Sequence, residues 1–229
     1  MATAAVLTAP DTPLEIRTDV EVAEPQAGEV RVRTGASGVC HSDISVSNGT
    51  IPLPTPIVLG HEGSGIVEAV GEGVTNVAPG DKVVVSWVPQ CGECYMCTRG
   101  QPYLCEKNAA TAMAGMLDGT TRLTSQGAPL HVMAMAGSFS DTMVTPDISL
   151  VKIDPSVPLP IASLIGCDVL TGVGAAVNTA DIREGDTVAV IGCGGVGLNV
   201  IQGAKIAGAG EIIAVDMVPS KLELAAQFG

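Results

Sequence analysis

The chain has 229 residues, enough to bury a substantial core, and its 46% hydrophobic and 15% charged residues are the balance of a globular protein rather than a disordered one. A formal net charge of −13, with no basic run to offset it, repels phosphate backbones and anionic lipid alike, which argues against nucleic acid and membrane partners. Two phenylalanines, two tyrosines and one tryptophan leave the core to Val, Ile, Leu, Ala and Met.

The amino terminus, "MATAAVLTAPDTPLEI", lacks a basic region, and Thr8 and Pro10 break its short apolar stretch. It therefore does not read as a signal peptide, and the expected location is the cytoplasm. In that reducing compartment clustered cysteines more often bind metal than pair as disulfides.

From Glu29 to about Ile153 the chain shows short β-like runs, "EVRVRTGASG", "SGIVEAVG", "DKVVVSWV" and "ISLVKID", separated by Gly- and Pro-rich turns such as "APGD". This predicts an all-β domain over 1–155 with irregular loops. Within it lie Cys40 in "GVCHSD" and His61 in "LGHEGSG". Together with Cys167 further on, they offer two thiolates and an imidazole, an open zinc site whose fourth position admits water or an alcohol oxygen. Taken singly, Cys167 on an apolar run reads as a core cysteine; the combination is what carries the metal reading. Asp43 and Glu62 are placed to orient the ligands or tune the metal, and otherwise are solvated loop carboxylates.

Next comes "CGECYMCTRGQPYLC", residues 91–105. Cys91, Cys94, Cys97 and Cys105 are spaced so that one compact loop can wrap four thiolates around a single zinc. Such a closed site is structural, because no position is left for substrate. The alternatives are ordinary buried cysteines, a DNA-binding zinc ribbon, disfavoured by the acidic charge, and an iron–sulfur cluster, disfavoured by the lack of further cluster motifs.

After Pro155 the texture turns helix-like, "PIASLIGCDVLTGVGAAVNTA", and "DTVAVIGCGGVGLNVIQGAKIAGAGEIIAVD" reads as strand, helix, strand. Residues 156–229 are thus predicted to open an α/β unit with parallel strands. The uncharged run from Thr187 to Ala204 has the length of a membrane span, but its five glycines suit a strand, turn and helix better. Gly192, Gly194 and Gly197 form G-x-G-x-x-G directly after an apolar strand, and Asp216 ends the next one. That arrangement is the dinucleotide fingerprint. The backbone from Gly192 through Gly195 and Val196 to Gly197 would admit a pyrophosphate to the helix N-terminus, while Asp216 would accept the ribose hydroxyls and repel a 2′-phosphate, favouring NAD over NADP. Cys193 reads as a small residue of the turn, and the structural alternative is a glycine-rich packing turn.

"GVCHSD", "GHEGSGIVEAVGEGV", "CGECYMC", "LIGCDVLTG" and "GCGGVGL" together resemble the zinc-dependent alcohol dehydrogenases of the medium-chain dehydrogenase/reductase superfamily. The resemblance covers essentially the whole chain, with the motifs in the family's order. It implies a GroES-like β domain followed by the first part of a Rossmann doubly wound sheet. It also implies two zinc ions, one catalytic on Cys40, His61 and Cys167 and one structural on the four clustered cysteines, with NAD as cofactor. Ser42 would bond the alcohol oxygen, Thr171 would pack near nicotinamide, Lys221 would assist Asp216 at the ribose, and His41 falls at a basic pyrophosphate contact. The expected activity is hydride transfer between an alcohol or aldehyde and NAD(H), in a homo-oligomer at full length.

Departures narrow the expectation. Ser45 stands where many members carry the histidine that ends a proton relay. Ile51 and Ala109 stand where glutathione-dependent formaldehyde dehydrogenases carry an acid and a base. Trp87 lies at an aromatic wall of the alcohol pocket and favours small primary alcohols. "MAGMLDGTTRL" is similar to a bacterial branch with nicotinoprotein members, so a nicotinoprotein or thiol-adduct (formaldehyde) dehydrogenase is the alternative within the family. Because only the start of one mononucleotide half follows residue 187, the chain reads as truncated. Expected of these 229 residues alone is inactivity, and the rival from another class is a non-catalytic zinc-stabilised module.

Overall fold

A computed structural model describes residues 1–111 and 114–229, without the side chains of 109–113. The chain divides into two compact units, Met1–Gly166 and Cys167–Gly229.

The first unit runs β1 (Ala2–Leu7), β2 (Glu15–Val22), β3 (Glu29–Ser37), α1 (His41–Ser47), β4 (Ile57–Val58), β5 (Gly63–Val70), β6 (Lys82–Val85), α2 (Tyr95–Thr98), α3 (Glu106–Thr111), β7 (Leu123–Ser125), β8 (Ala128–Val132), β9 (Thr142–Pro146), β10 (Leu150–Lys152) and α4 (Leu159–Leu164). It is a β unit, as the turn-punctuated pattern predicts, but three of its connections, expected as irregular loops, carry the short helices α1, α2 and α3. β1, β2, β7, β8 and β4 close into a barrel, and β10, β6, β5, β3 and β9 form a five-stranded sheet in that order. β3 illustrates the period of two: Val30 and Val32 are fully buried, while Arg31 and Arg33 project outward to ion pairs with Glu24 and Glu68. The core is aliphatic and methionine-rich, with Met116, Met135 and Met143 among its buried side chains.

The runs singled out in the sequence correspond to β3, β5, β6 and β10, and the other strands of this unit were not predicted. β1 lies in the stretch read only for a leader, because "ATAAVL" has too many alanines to signal a strand. The β7–β8 hairpin turns through Gln126 and Gly127 at φ 54° and 76°, a conformation usually announced by Asn-Gly. The run "DKVVVSWV" is shorter than predicted: β6 ends at Val85, which leaves Trp87 in a loop. The unit boundary falls beyond the change of texture at 155. Physically, α4 belongs to the β unit, since its Leu159 fills the space over Gly35 and its Leu164 lies 3.0 Å from where a methyl on Gly38 would stand.

The second unit contains α5 (Leu170–Gly174), β11 (Thr187–Ile191), α6 (Gly195–Ile206), β12 (Glu211–Val215) and α7 (Pro219–Phe228). β11 and β12 pair in parallel from Thr187 opposite Glu211 to Ile191 opposite Val215, joined through α6. Strand, turn, helix and strand therefore stand where the sequence put them, and the uncharged run 187–204 is not one continuous helix. A different stretch, Leu159–Thr179, is the one helical run among the described residues long and apolar enough to cross a bilayer by length and composition. Its second half instead packs on α6. A methyl on Gly172 would lie 2.5 Å from Val196 O, and one on Gly203 would lie 2.8 Å from Ala176 Cβ.

Candidate functional site

Cys40 is the residue from which α1 starts, with extended backbone at φ −97° and ψ 158°. The third helical residue, Asp43, folds back so that its Oδ2 accepts the Cys40 N–H at 2.9 Å. Its other oxygen, Oδ1, accepts the Gly60 N–H at 3.0 Å and stands 3.3 Å from His61 Nδ1. Asp43 is buried, so one carboxylate braces both loops that carry metal-type ligands. Gly60 has φ +90°, and a methyl there would lie 2.5 Å from Ser138 Oγ, which explains the glycine before the histidine.

With Nδ1 turned to Asp43, the other ring nitrogen of His61 is the one presented outward, and Ser42 Oγ lies 3.4 Å from it. The ligand atoms of Cys40, His61 and Glu62 lie within 4.8 Å of one another. Glu62, expected to orient ligands, is fully buried and stands at ligand distance itself. A thiol, an imidazole and a carboxylate converging in a buried place fit a divalent zinc-type ion. The indole of Trp87 meets the His61 ring edge-on, with centroids 6.3 Å apart and planes at 73°. Trp87, Ile51, Leu53 and Phe139 cap a cluster of Leu7, Val46, Ile57, Leu59, Met133 and Ala134, so the wall beside His61 is apolar. Ser45 is half-buried in α1, His41 is exposed at its start, and Ala109 has its backbone in α3 with its side chain outside the described residues.

Cys91, Cys94, Cys97 and Cys105 also lie with their sulfurs within 4.8 Å of one another. Backbone amides face them: Cys94 N–H points at Cys91 Sγ at 3.4 Å and Cys91 N–H at Cys105 Sγ at 3.5 Å. The thiols are inequivalent. The backbone N–H of Cys97, helped by that of Glu106, pulls Cys94 down to about 6, whereas desolvation pushes Cys97 up to about 12. Four thiols with amides aimed at sulfur fit a tetrahedral zinc and leave no donor position open. Lys107 pairs with Glu93 across the loop, and that partner raises its pKa.

In the second unit Gly192 has φ +97°, and no described atom lies within 4 Å of a methyl placed on Gly192 or Gly194. Gly197 is closed off instead, its Cα crowding Gly192, with Gly192 C 2.8 Å from any added methyl. The turn thus leaves an open cradle at the start of α6 while packing tightly behind it, which fits a pyrophosphate. Asp216 Oδ2 accepts the Cys193 N–H at 2.8 Å and Oδ1 accepts the Val218 N–H at 2.9 Å, and these bonds, the first foremost, hold its carboxyl below the usual range. Lys221 Nζ lies 3.8 Å from Asp216 Oδ2. Thr171 is exposed on α5, and Cys167 is the buried first residue of this unit.

Residues 26–155 match the family model described as the alcohol dehydrogenase GroES-like domain. The chain belongs to that family. It is 47% identical over 228 residues to an S-(hydroxymethyl)glutathione dehydrogenase of Photobacterium damsela subsp. piscicida, a match covering 99% of this chain and 62% of the relative. A solved structure of an alcohol dehydrogenase zinc-binding domain protein from Burkholderia ambifaria superposes with a TM-score of 0.94 at 39% identity, covering all of this chain and 62% of that one. Benzyl alcohol dehydrogenase from Acinetobacter calcoaceticus gives a TM-score of 0.91 at 36% identity, again over 100% of this chain and 62% of the other. The fold class read from the sequence, a GroES-like β domain followed by the beginning of a Rossmann sheet, is thereby established, and the chain spans 62% of the length of these relatives.

One residue near the candidate sites escaped the sequence reading. Asp168 sits against Gly195 at the start of α6, such that a methyl on Gly195 would collide with its carboxylate and lie 3.2 Å from Cγ. An acid directly after Cys167, in "LIGCDVLTG", is the sequence signal for it.

Proposed function

We propose that the protein is a zinc-dependent alcohol dehydrogenase that exchanges hydride between a primary alcohol, or its aldehyde, and NAD(H), acting as a cytoplasmic homo-oligomer. The observation that carries this reading is the pairing of two unlike donor sets in one β unit: a closed set of four cysteines and a buried set built on Cys40 and His61. In this reading Cys167 is the third ligand of the second set, and Glu62 stands beside it. Zinc bound there supplies the Lewis acidity that makes an alcohol hydroxyl acidic, and NAD accepts the hydride.

The chain's own residues do the rest. Asp43, its Oδ1 3.3 Å from Nδ1, would favour the His61 tautomer protonated there, so that the other ring nitrogen serves as the ligand. Ser42, 3.4 Å from that nitrogen, would relay the alcohol's hydroxyl proton, accepting it as its own hydroxyl proton passes on to solvent water, since Ser45 supplies no imidazole to receive it. Trp87 and its apolar neighbours exclude water and hold the alcohol's carbon chain. Asp216 and Lys221 hold the adenosine ribose, His41 and the turn from Gly192 through Gly195 and Val196 to Gly197 hold the pyrophosphate, and Thr171 packs by the nicotinamide. That the structural neighbours include zinc-binding and benzyl alcohol dehydrogenases supports the class of reaction.

A second reading, a hydroxymethyl thiol adduct as substrate, is favoured by the relative that is an S-(hydroxymethyl)glutathione dehydrogenase. Ile51, packed on the apolar cluster, offers glutathione no carboxylate partner there. The test is NADH formation by the complete protein with benzyl alcohol, with small primary alcohols, and with formaldehyde plus glutathione. Turnover of the plain alcohols that disappears in Cys40→Ser supports the first reading. Turnover of the glutathione adduct alone replaces it with the second.

A further inference from the structure

We propose that Asp168 weakens dinucleotide binding and hastens its release, by standing as a fixed carboxylate against the phosphate-binding end of α6. The inference rests on the cofactor reading above and deepens it.

Asp168 is anchored by close helix packing. A methyl on Gly172 would lie 2.5 Å from Val196 O and 2.8 Å from Asn199 C, and one on Gly203 would lie 2.9 Å from Val173 Cα. Each helix therefore contributes a glycine to the contact, and the two backbones interlock at a distance that a side chain at either position would prevent. The turn carrying Asp168 cannot swing away from α6 without opening this packing. At the N-terminal end of the contact the Asp168 carboxylate covers Gly195, the first residue of α6. The residue from which α6 starts is Gly194, which has no side chain and makes no capping bond, so no side chain of the turn itself competes for this end.

The geometry has two electrostatic effects. Before a dinucleotide arrives, a carboxylate beside the partly positive end of a twelve-residue helix is stabilised by it. Once the pyrophosphate occupies the open cradle at Gly192 and Gly194, two anions share one helix terminus, and their repulsion subtracts from affinity. Asp216 is common to wild type and variants, and its oxygens are engaged by the Cys193 and Val218 amides, so the comparison isolates the charge of Asp168. A device of this kind suits an enzyme that exchanges NADH every cycle, where release of the reduced cofactor is a common slow step. It does not suit one that keeps its cofactor bound.

The test is isothermal titration of the complete protein with NAD, NADH and adenosine, comparing wild type with Asp168→Asn and Asp168→Ala. Both variants, with unaltered zinc content and melting temperature, are expected to bind NAD and NADH about tenfold more tightly, the order expected for removing one like charge near a protein surface. Adenosine, which carries no phosphate, should bind unchanged. Asp168→Asn is isosteric, and Asp168→Ala guards against a substituted amide making a new bond. Unchanged or weaker binding of both dinucleotides by the variants overturns the role of Asp168 and leaves the cofactor reading standing. Failure of zinc-loaded wild type to bind either dinucleotide removes the cofactor reading, and this inference with it.

Discussion

Asp43 Oδ1 stands 3.3 Å from His61 Nδ1 while also accepting the N–H of Gly60, the residue before that histidine. The same side chain receives the Cys40 N–H through its second oxygen. One buried carboxylate thus bonds the backbones of both loops that carry Cys40 and His61 and stands against the imidazole. Asp43→Asn keeps the shape but replaces an acceptor with an amide donor at one of these contacts. Metal affinity at the Cys40–His61 set should fall about 10- to 100-fold, measured by competition with a chromogenic chelator. Metal at the four-cysteine loop should be retained, and equal loss from both sites would mean that the substitution had unfolded the chain.

At the four-cysteine loop, Cys94→Ser should remove one zinc per chain and speed amide exchange across 91–105, because a structural zinc contributes folding energy directly. Proton release gives an independent check. Cys94 ionises near 6 and Cys97 near 12 without metal, so at neutral pH at least one thiol proton must be expelled when zinc binds. Affinity should therefore keep rising with pH above about 6, toward the value of about 12 at which Cys97 ionises, and calorimetry in buffers of different ionisation heat should detect the released protons. A pH-independent affinity would contradict four-thiolate ligation.

Arg122 ties the start of β3 to the loop before β7. Its guanidinium gives Glu29 two hydrogen bonds, at 2.9 and 2.7 Å, and Asp118 a third at 2.8 Å, with both Arg122 and Glu29 buried. Arg122→Met strands the Glu29 carboxylate and should cost about 3 to 5 kcal/mol in urea unfolding, whereas the pair Glu29→Gln with Arg122→Met should recover much of that. Asp118, lowered to about 2 chiefly by its bond to Arg122, titrates below its ordinary value of 3.8. Its contribution is complete above the unfolded value near 4 and fades as pH falls through 2. The side chain is 46% exposed, so the acid-induced loss from this group should be a small fraction of the Arg122→Met effect.

Asp216 should decide the cofactor. Its carboxyl is held low, first by the Cys193 amide and then by that of Val218, and stays ionised across the working pH range. A 2′-phosphate placed against it would meet an anion, so NAD should be preferred strongly. Asp216→Gly should narrow the ratio of kcat/KM for NAD over NADP by at least about tenfold, chiefly through loss with NAD. Equal efficiency of wild type with both cofactors would defeat this assignment.

Legibility in the sequence followed how local each feature is. The four cysteines and the glycine turn are each contiguous, so spacing alone carried them. β3 was visible because Val and Arg alternate at its start, and β5 because an Ile-Val pair is bounded by glycines, whereas β1 and the β7–β8 hairpin were hidden by alanines and by a Gln-Gly turn. The double role of Asp43 could be guessed from its place three residues after Cys40, but its bond to Gly60 depends on β-barrel closure and has no sequence signature. Asp168 was overlooked for the same reason, since its partner Gly195 lies across a helix crossing.

The two donor sets differ in how far apart their members lie along the chain, and this orders events during biosynthesis. All four sulfurs of the closed loop fall between residues 91 and 105, so the segment can capture its ion as soon as it leaves the ribosome, at a small loop-closure cost. Barrel closure must instead wait for β8, whose Val132 pairs with Val58 of β4, and β4 in turn pairs with β1 at the amino terminus. In the two-zinc reading proposed above, the nascent chain would acquire one ion as a folding nucleus and the other only after barrel closure. Zinc scarcity during translation and zinc scarcity afterwards would leave two different defective products.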